Sequence, residues 1–83
     1  MDRWKGMEEF MAVVETGSFS RAASRLDLAV SQISKRVSEL EKRLDARLLD
    51  RTTRRVTPTT QGRLFYQASR KLLSEFDRAR ESI

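Results

Sequence analysis

The 83-residue sequence contains no cysteine and no histidine, which removes the side chains on which much protein chemistry depends. Without them the chain has no thiol nucleophile, no imidazole base, no usual zinc ligand and no disulfide. It also has no Gly-rich phosphate-binding loop, since only 3 glycines are present, and no evident buried pair of acids. We therefore expect that the chain is not an enzyme and that this domain holds no metal and no cofactor.

Long apolar runs are absent too, so no segment is predicted to span a membrane. The first ten residues, MDRWKGMEEF, carry acids and lack the apolar core of a secretory signal. We expect a cytoplasmic protein with no membrane partner. We expect a chain of this length, without a linker rich in proline and glycine, to form one small domain, and many domains of this size gain stability from a partner subunit.

The sequence is rich in basic residues, with 17 Lys and Arg against 12 Asp and Glu. Most of the net charge of +5 lies between residues 35 and 55, which contain eight basic and four acidic residues. A basic domain favours a polyanionic partner, either nucleic acid or an anionic membrane surface, although a soluble basic surface gives the same composition.

Apolar spacing predicts two helices in the first third of the chain. The first covers residues 2–15 and ends at Gly17, a residue suited to a C-terminal cap. A short second helix covers residues 21–26, with Ser20 as its N-cap. Asp27 follows in a tight turn, where Asp tolerates a left-handed backbone.

A third helix, predicted over residues 30–44, is the most informative element. Ile33, Val37, Leu40 and Leu44 form a narrow apolar stripe that we expect to face the core. The opposite side is polar and basic, with short side chains in its N-terminal half. A solvated helix face gives the same pattern, so these residues alone leave DNA contact open. The polar residues are Ser31, Lys35, Ser38 and Lys42, with Ser34 at the edge.

The pattern changes after the third helix. Leu48 and Leu49 are expected to close the core, and residues 51–57 are β-prone with a basic centre. We predict two short strands around a tight loop at residues 53–55, with Pro58 ending the second strand. Thr59 or Thr60 then caps a last helix that runs to the end of the chain.

The last helix carries an apolar stripe about twenty residues long, which is more than a small domain needs. We predict a coiled-coil-type dimer seam. Packing on its own domain, or on a domain outside this chain, is the alternative. A membrane-surface helix over residues 63–83 is a third interpretation, weakened by the acids mixed with bases on the polar side. The stripe consists of Phe65, Ala68, Leu72, Phe76, Ala79 and Ile83.

Together these elements predict a mainly α fold, a winged helix-turn-helix of three helices and a two-stranded wing, followed by a long linker or dimerisation helix. The predicted division is a DNA-binding domain over residues 1–58 and the linker helix over residues 59–83.

Three segments resemble the LysR-type transcriptional regulators of bacteria. FMAVVETGSFSRAA at 10–23 is similar to that family's first helix and helix-turn entry, SKRVSELE at 34–41 to its recognition helix, and LLDRTTRRVTPTTQG at 48–62 to its wing and the start of its linker helix. The resemblance covers about residues 2–65. It implies sequence-specific binding to double-stranded promoter DNA at pseudo-palindromic sites. It also implies a homodimer through the linker helix, leaves a tetramer open for a full-length protein, and places a small-molecule inducer in a C-terminal effector domain absent from these 83 residues.

The sequence departs from the family pattern at three positions. Val30 stands where the family often has Gln, Ala29 where it often has a hydroxyl cap, and Asp27 where it often has Gly. Val30 cannot hydrogen-bond a base edge, but it can touch a thymine methyl group or pack. These departures affect the set of residues that contact bases and leave the family resemblance intact.

The predicted DNA contacts fall into two groups with different roles. Base edges are assigned to the start of the third helix, where Lys35 would favour guanine. Phosphates and the minor groove are assigned to the second helix and the wing. For Arg51, the alternative role is a structural ion pair. For the chain as a whole, the alternative function is that of a module that binds only proteins. The base-contacting set is Val30, Ser31, Ser34 and Lys35; the backbone and wing set is Ser20, Arg21, Ser24, Arg36, Ser38, Arg51, Arg54 and Arg55.

Overall fold

The computed structural model describes residues 4–51 and 55–83 of the chain. Within them, three helices precede a two-stranded antiparallel sheet, and a long helix follows. This order confirms the predicted winged helix-turn-helix with a long final helix. The elements are α1 (Met7–Thr16), α2 (Phe19–Leu26), α3 (Val30–Leu44), β1 (Leu49–Asp50), β2 (Thr57–Pro58) and α4 (Thr60–Glu81).

Helix α1 is shorter at its start than the sequence predicted. Gly6 precedes it with a φ of 93°, a left-handed conformation that interrupts the helical pattern before Met7. The predicted extension through residues 4–6 is therefore wrong, and residues 1–3 lie outside the described part of the chain. The predicted end is confirmed, because Gly17 is left-handed at φ 68° and donates its N–H to the Val13 carbonyl.

Helix α2 begins earlier than predicted, at Phe19 rather than Arg21. Its N-cap is Ser18, not Ser20, because Ser18 has an extended backbone and its hydroxyl accepts a hydrogen bond of 3.1 Å from the Arg21 N–H. The turn at Asp27 is confirmed, with a left-handed φ of 56°. Ser20 is therefore an exposed residue in the first turn of the helix.

Helix α3 has the predicted bounds, and its apolar stripe forms the centre of the core. Leu44 is an exception, because it is 41% exposed. Gln32 supplies part of a cap where Ala29 has no hydroxyl, since its Oε1 accepts from the Ala29 N–H at 2.9 Å. The buried core gathers Phe10, Ala12, Val13, Ala22, Ala23, Ile33, Val37, Leu40, Leu48 and Leu49.

The wing strands pair Leu49 with Pro58 and Asp50 with Thr57. The first strand thus begins at Leu49, two residues before the predicted β-prone segment, because the adjoining backbone is anchored in the core. Pro58 ends the second strand as predicted. Residues 52–54, which hold most of the predicted loop, lie outside the described residues.

Helix α4 is capped by Thr59, whose hydroxyl accepts from the Gly62 N–H at 3.0 Å, as predicted. The side of α4 that faces the rest of the domain includes buried Gly62 and Ser69. Among the described residues, no helix has both the length and the hydropathy needed to cross a membrane.

Candidate nucleic-acid interface

The start of α3 presents the predicted base-contacting residues to solvent. Val30 is 46% exposed, Ser31 and Lys35 are exposed, and Ser34 is half-buried at the edge of the face. Ser31 and Lys35 form no side-chain hydrogen bond or ion pair with any residue that the structure describes. The start of α3 therefore exposes the apolar side chain of Val30, and the Ser31 hydroxyl and Lys35 ammonium group have no partner among the described residues.

Helix α2 adds a second exposed polar group beside this surface. Ser20, Arg21 and Ser24 are all exposed. Because Ser18 provides the N-cap, the Ser20 hydroxyl is not needed for that purpose. These three side chains lie in the first turns of a helix whose small residues, Ala22 and Ala23, pack in the core.

Arg36 is engaged inside the protein rather than left on the exposed face. Its Nη1 donates to Glu9 Oε2 at 2.6 Å, and Glu9 is only 8% exposed. Successive residues lie about 100° apart on a helix, so Arg36 sits on the flank of α3 that meets α1. The backbone contact by Arg36 stays a prediction, and in this structure its guanidinium is held by Glu9.

Arg51 and Ser38 belong to a second internal network. Arg51 Nη2 lies 3.3 Å from Glu41 Oε1 and 3.5 Å from Ser38 Oγ, and the guanidinium lies 5.1 Å from the centre of the Phe19 ring. Glu41 Oε2 also accepts from the N–H groups of Leu48 and Leu49. The geometry supports the structural alternative for Arg51 and places Ser38 within the same network.

The second described arginine of the predicted wing set, after Arg51, is Arg55. Arg55 is exposed and borders a cleft between β2 and the junction of α1 with α2. Arg21 lines the same cleft, so the two basic side chains approach one region of the surface. Arg54 lies outside the described residues.

A polar network joins α4 to the ends of α1 and α2. The Tyr66 hydroxyl donates to Glu15 Oε2 at 2.7 Å, and Arg25 contacts Glu15 Oε1 at 2.5 Å. The Tyr66 hydrogen bond, followed by the Arg25 contact, lowers the pKa of Glu15 against the opposing effect of burial. Burial and then the Glu15 hydrogen bond raise the pKa of Tyr66. The network holds the long helix against the helix-turn-helix.

Most of the predicted dimer seam is uncovered in the single chain. Phe65 is the exception, since it is half-buried and its ring centre lies 5.8 Å from that of Phe10. Phe76 lies 6.4 Å from Trp4 but remains 56% exposed. The outer stripe of α4, as the structure has it, consists of Leu64, Ala68, Leu72, Phe76, Ala79 and Ile83, all exposed.

Sequence reasoning did not assign two residues that the structure connects to this interface. Gln32 is exposed at the start of α3, and its position three residues after Ala29 was an available capping signal. Glu9 is the buried partner of Arg36, and nothing in the sequence linked residues 27 positions apart. Across the described residues, no cluster of three or more His, Cys, Asp or Glu could hold a metal ion.

A short helix, a tight turn and a longer helix with an uncovered polar side, beside a two-stranded wing, define a winged helix-turn-helix domain. A family model described as the bacterial regulatory helix-turn-helix protein of the LysR family matches residues 4–63. The chain belongs to this LysR family, as its resemblance predicted.

Individual relatives agree with this assignment. The HTH-type transcriptional activator AaeR of Escherichia coli (strain K12) is 45% identical over 83 residues, which are 100% of this chain and 27% of that protein. The HTH-type transcriptional repressor PA14_22550 of Pseudomonas aeruginosa is 44% identical over 77 residues, 93% of this chain and 24% of that protein. The chain thus spans about a quarter of the length of these curated relatives. These relatives are named as transcriptional regulators.

Solved structures show the same fold. The BenM DNA-binding domain in complex with benA site 1 DNA has a TM-score of 0.92 and 38% identity, covering 99% of this chain and 91% of that one. Vibrio fischeri DarR in complex with DNA has a TM-score of 0.90 and 26% identity, covering 99% of this chain and 28% of that one. The fold is therefore that of a LysR-family DNA-binding domain.

Proposed function

We propose that the chain binds double-stranded operator DNA in a sequence-specific manner, with the N-terminal half of α3 in the major groove. The observation that carries this proposal is the uncovered start of α3, where Ser31 and Lys35 have no partner among the described residues. A helix with such a surface fits the major groove of B-DNA, where each base pair has a distinct pattern of donors, acceptors and methyl groups. The DNA complexes of BenM and DarR, which share the fold, support it.

Four residues of α3 are proposed to contact base edges. Lys35 donates to the acceptors of guanine, while the hydroxyls of Ser31 and Ser34 donate or accept and so discriminate weakly. Val30 offers an apolar contact to a thymine methyl group. These contacts select the sequence, because contacts to phosphates carry no base information.

Phosphate contacts are proposed for Ser20, Arg21 and Ser24 of α2 and for the wing residues Arg54 and Arg55. Basic side chains that neutralise phosphates release counterions, so binding weakens as salt rises. A narrow A·T-rich minor groove attracts a wing arginine most strongly. Arg36, Ser38 and Arg51 are left out of this set because Glu9 holds Arg36, and Arg51 lies between Glu41 and Ser38.

The partner chain is proposed to be a second copy, joined through the outer stripe of α4. Leu64 is 63% and Leu72 is 47% exposed on this stripe, and exposed apolar surface of this extent favours association. A two-fold dimer would present two α3 helices to the two half-sites of a pseudo-palindrome. A small-molecule inducer and an effector domain outside these residues are proposed for a longer protein.

The test is a selection of bound duplexes from a random pool, followed by titration of the winning duplex and an unrelated duplex of equal length. We expect an enriched inverted motif and a preference of about 10³-fold or more for the winner. Arg21→Ala should weaken binding to both duplexes by the same factor and make this binding less dependent on salt. Lys35→Ala should instead change which duplex is bound more tightly. A chain that binds proteins only would enrich no motif at any ionic strength, and this result would overturn the proposal.

A further inference from the structure

Arg36 is a basic residue of α3 that the fold directs away from the solvent-facing side of the helix. Its guanidinium lies 2.6 Å from a carboxylate oxygen of Glu9 in α1. The Glu9 side chain is only 10% exposed, whereas that of Arg36 is 35% exposed, so the carboxylate is shielded from water and the guanidinium is partly accessible. Burying a carboxylate without a cation or a hydrogen-bond donor beside it is costly.

Two further contacts join the same side of α3 to Lys5 and Gly6, which precede α1. A Cβ placed on Gly6 would lie 2.9 Å from the Arg36 carbonyl oxygen and 3.1 Å from Leu40 Cβ, which shows how closely the two backbones approach. About two turns beyond Arg36, the Arg43 guanidinium donates to the Lys5 carbonyl. Residues 36–43 of α3 are therefore held by directional polar contacts as well as by apolar packing.

The apolar stripe of α3 does not by itself fix how the helix is rotated about its axis. Contacts through Ile33, Val37 and Leu40 depend on buried area and are not directional. Groups that recognise a ligand need to be held to within about 0.5 Å and 10–20°. Lys35 immediately precedes Arg36, so any rotation that breaks the Glu9 contact also displaces Lys35.

We propose that the Glu9–Arg36 ion pair is a positioning contact that sets the rotation of α3, and through it the sequence selectivity of DNA binding. Arg36 contributes no phosphate contact, because releasing it to DNA would leave Glu9 buried without its cation. This inference rests on the proposed function. It assigns different roles to two neighbouring basic residues of α3: Lys35 contacts bases, and Arg36 positions the helix.

The test compares Arg36→Met with Arg21→Met, the same chemical change at an exposed site on α2. Each variant is titrated with the duplex that the chain selects from a random pool and with an unrelated duplex of equal length, over a series of salt concentrations. We expect Arg21→Met to reduce the salt slope by about 0.9, the effect of one lost phosphate contact. Arg36→Met should leave the slope unchanged and lower the selected-to-unrelated affinity ratio by about tenfold, as losing one base contact does.

Variants of Glu9 provide a second arm. Glu9→Gln retains an oxygen that accepts from the guanidinium, so selectivity should stay close to that of the wild type. Glu9→Leu removes the acceptor and should reduce selectivity as Arg36→Met does. If Arg36→Met does not fold, Glu9→Leu combined with Arg36→Met replaces both members of the pair with apolar groups, a change that folded proteins often tolerate. Circular dichroism checks that each variant is folded at the assay temperature.

The outcomes separate this inference from the proposed function. A drop of about 0.9 in the salt slope for Arg36→Met would make Arg36 a phosphate contact and overturn the positioning role. A folded, equally selective Arg36→Met, or an equally selective double variant, would overturn it too. A wild type that prefers no duplex would overturn the proposed function itself, and this inference with it.

Discussion

Gly62 of α4 lies directly against the carbonyl group of Leu48. A Cβ built on Gly62 would lie 1.9 Å from the Leu48 oxygen and 2.9 Å from the Leu48 carbonyl carbon. The same carbonyl accepts from the Thr59 N–H at 3.0 Å. Glycine at this position therefore lets the first turn of α4 dock on the backbone that leads into the wing.

Gly62→Ala is expected to destabilise the domain by about 3 kcal/mol, because the methyl group would have to displace backbone rather than a flexible side chain. Urea unfolding followed by circular dichroism measures the change. Gln61→Ala, one residue earlier and exposed, is the matched control and should change stability by less than about 0.5 kcal/mol. Equal stabilities for the two variants would contradict the close approach.

Glu41→Ala is expected to destabilise the domain by about 3 kcal/mol. It leaves the N–H groups of buried Leu48 and Leu49 without their acceptor and Arg51 without its carboxylate. Glu41→Gln keeps one accepting oxygen and should have a smaller effect. Glu39→Ala is the control on the same helix and should stay within about 0.5 kcal/mol. If thermal unfolding showed the same loss of stability for Glu41→Ala as for Glu39→Ala, the contacts of Glu41 would not stabilise the domain.

Ser69→Ala is expected to stabilise the domain by about 1 kcal/mol. Ser69 is 2% exposed, and its hydroxyl has no hydrogen-bond partner among the described residues, so its burial is not compensated. Ser74→Ala, on an exposed part of the same helix, reports the helix propensity gain alone, about 0.5 kcal/mol. A loss of stability in Ser69→Ala, measured by urea unfolding, would indicate that the hydroxyl is bonded after all.

The Tyr66–Glu15 hydrogen bond is expected to make stability depend on pH. Because the folded state lowers the pKa of Glu15, its contribution is complete above the ordinary value of 4.5 and is lost as the pH falls through the folded pKa. The raised pKa of Tyr66 gives the opposite dependence, with stability present below pH 10.0 and lost as the pH rises further.

Tyr66→Phe tests this dependence through free energies of unfolding measured at several pH values. The network is partly exposed, so the loss at neutral pH should be below about 1 kcal/mol. This loss should shrink in acid as Glu15 becomes protonated. In a Glu15→Gln background the same substitution should show no acid dependence as the pH falls below 4.5. A loss that in the wild-type background also stays constant as the pH falls below 4.5 would contradict the assignment of the hydrogen bond.

Leu72→Glu is expected to weaken the proposed dimer by about 30-fold or more, since it places a charge within the outer stripe of α4. Sedimentation velocity over a concentration series measures the dissociation constant. Ser74→Glu adds the same charge on the polar side of α4 and should leave association unchanged. A wild type that remains monomeric at every concentration, or equal effects of the two variants, would remove the outer stripe as the dimer surface.

The elements of the fold followed largely from local sequence. Apolar spacing gave the bounds of α3, and the left-handed turns at Gly17 and Asp27 followed from residue types that tolerate that backbone. The start of α1 was misplaced because Gly6 interrupts an apolar pattern that otherwise continues through Trp4. Periodicity reports which face is apolar, but it does not report where a left-handed residue ends the helix.

The candidate interface was only partly predictable. The residue types at positions 30, 31, 34 and 35 indicated the exposed start of α3, because helical geometry fixes which side chains share a face. The internal roles of Arg36 and Arg51 were not fixed by the sequence, since their carboxylate partners lie 27 and 10 positions away.

The sequence by itself therefore determined the order of the helices and the wing, because these depend on local apolar spacing and turn residues, and it determined the family through the three matching segments. Tertiary structure alone decided that Arg36 pairs with Glu9 and that Arg51 pairs with Glu41. It also decided that Phe65 packs on Phe10 while Leu64 stays exposed. Tertiary packing decides which ion pairs form and which apolar side chains are buried, because a charge or an apolar surface is stabilised only by the groups that the folded chain brings next to it.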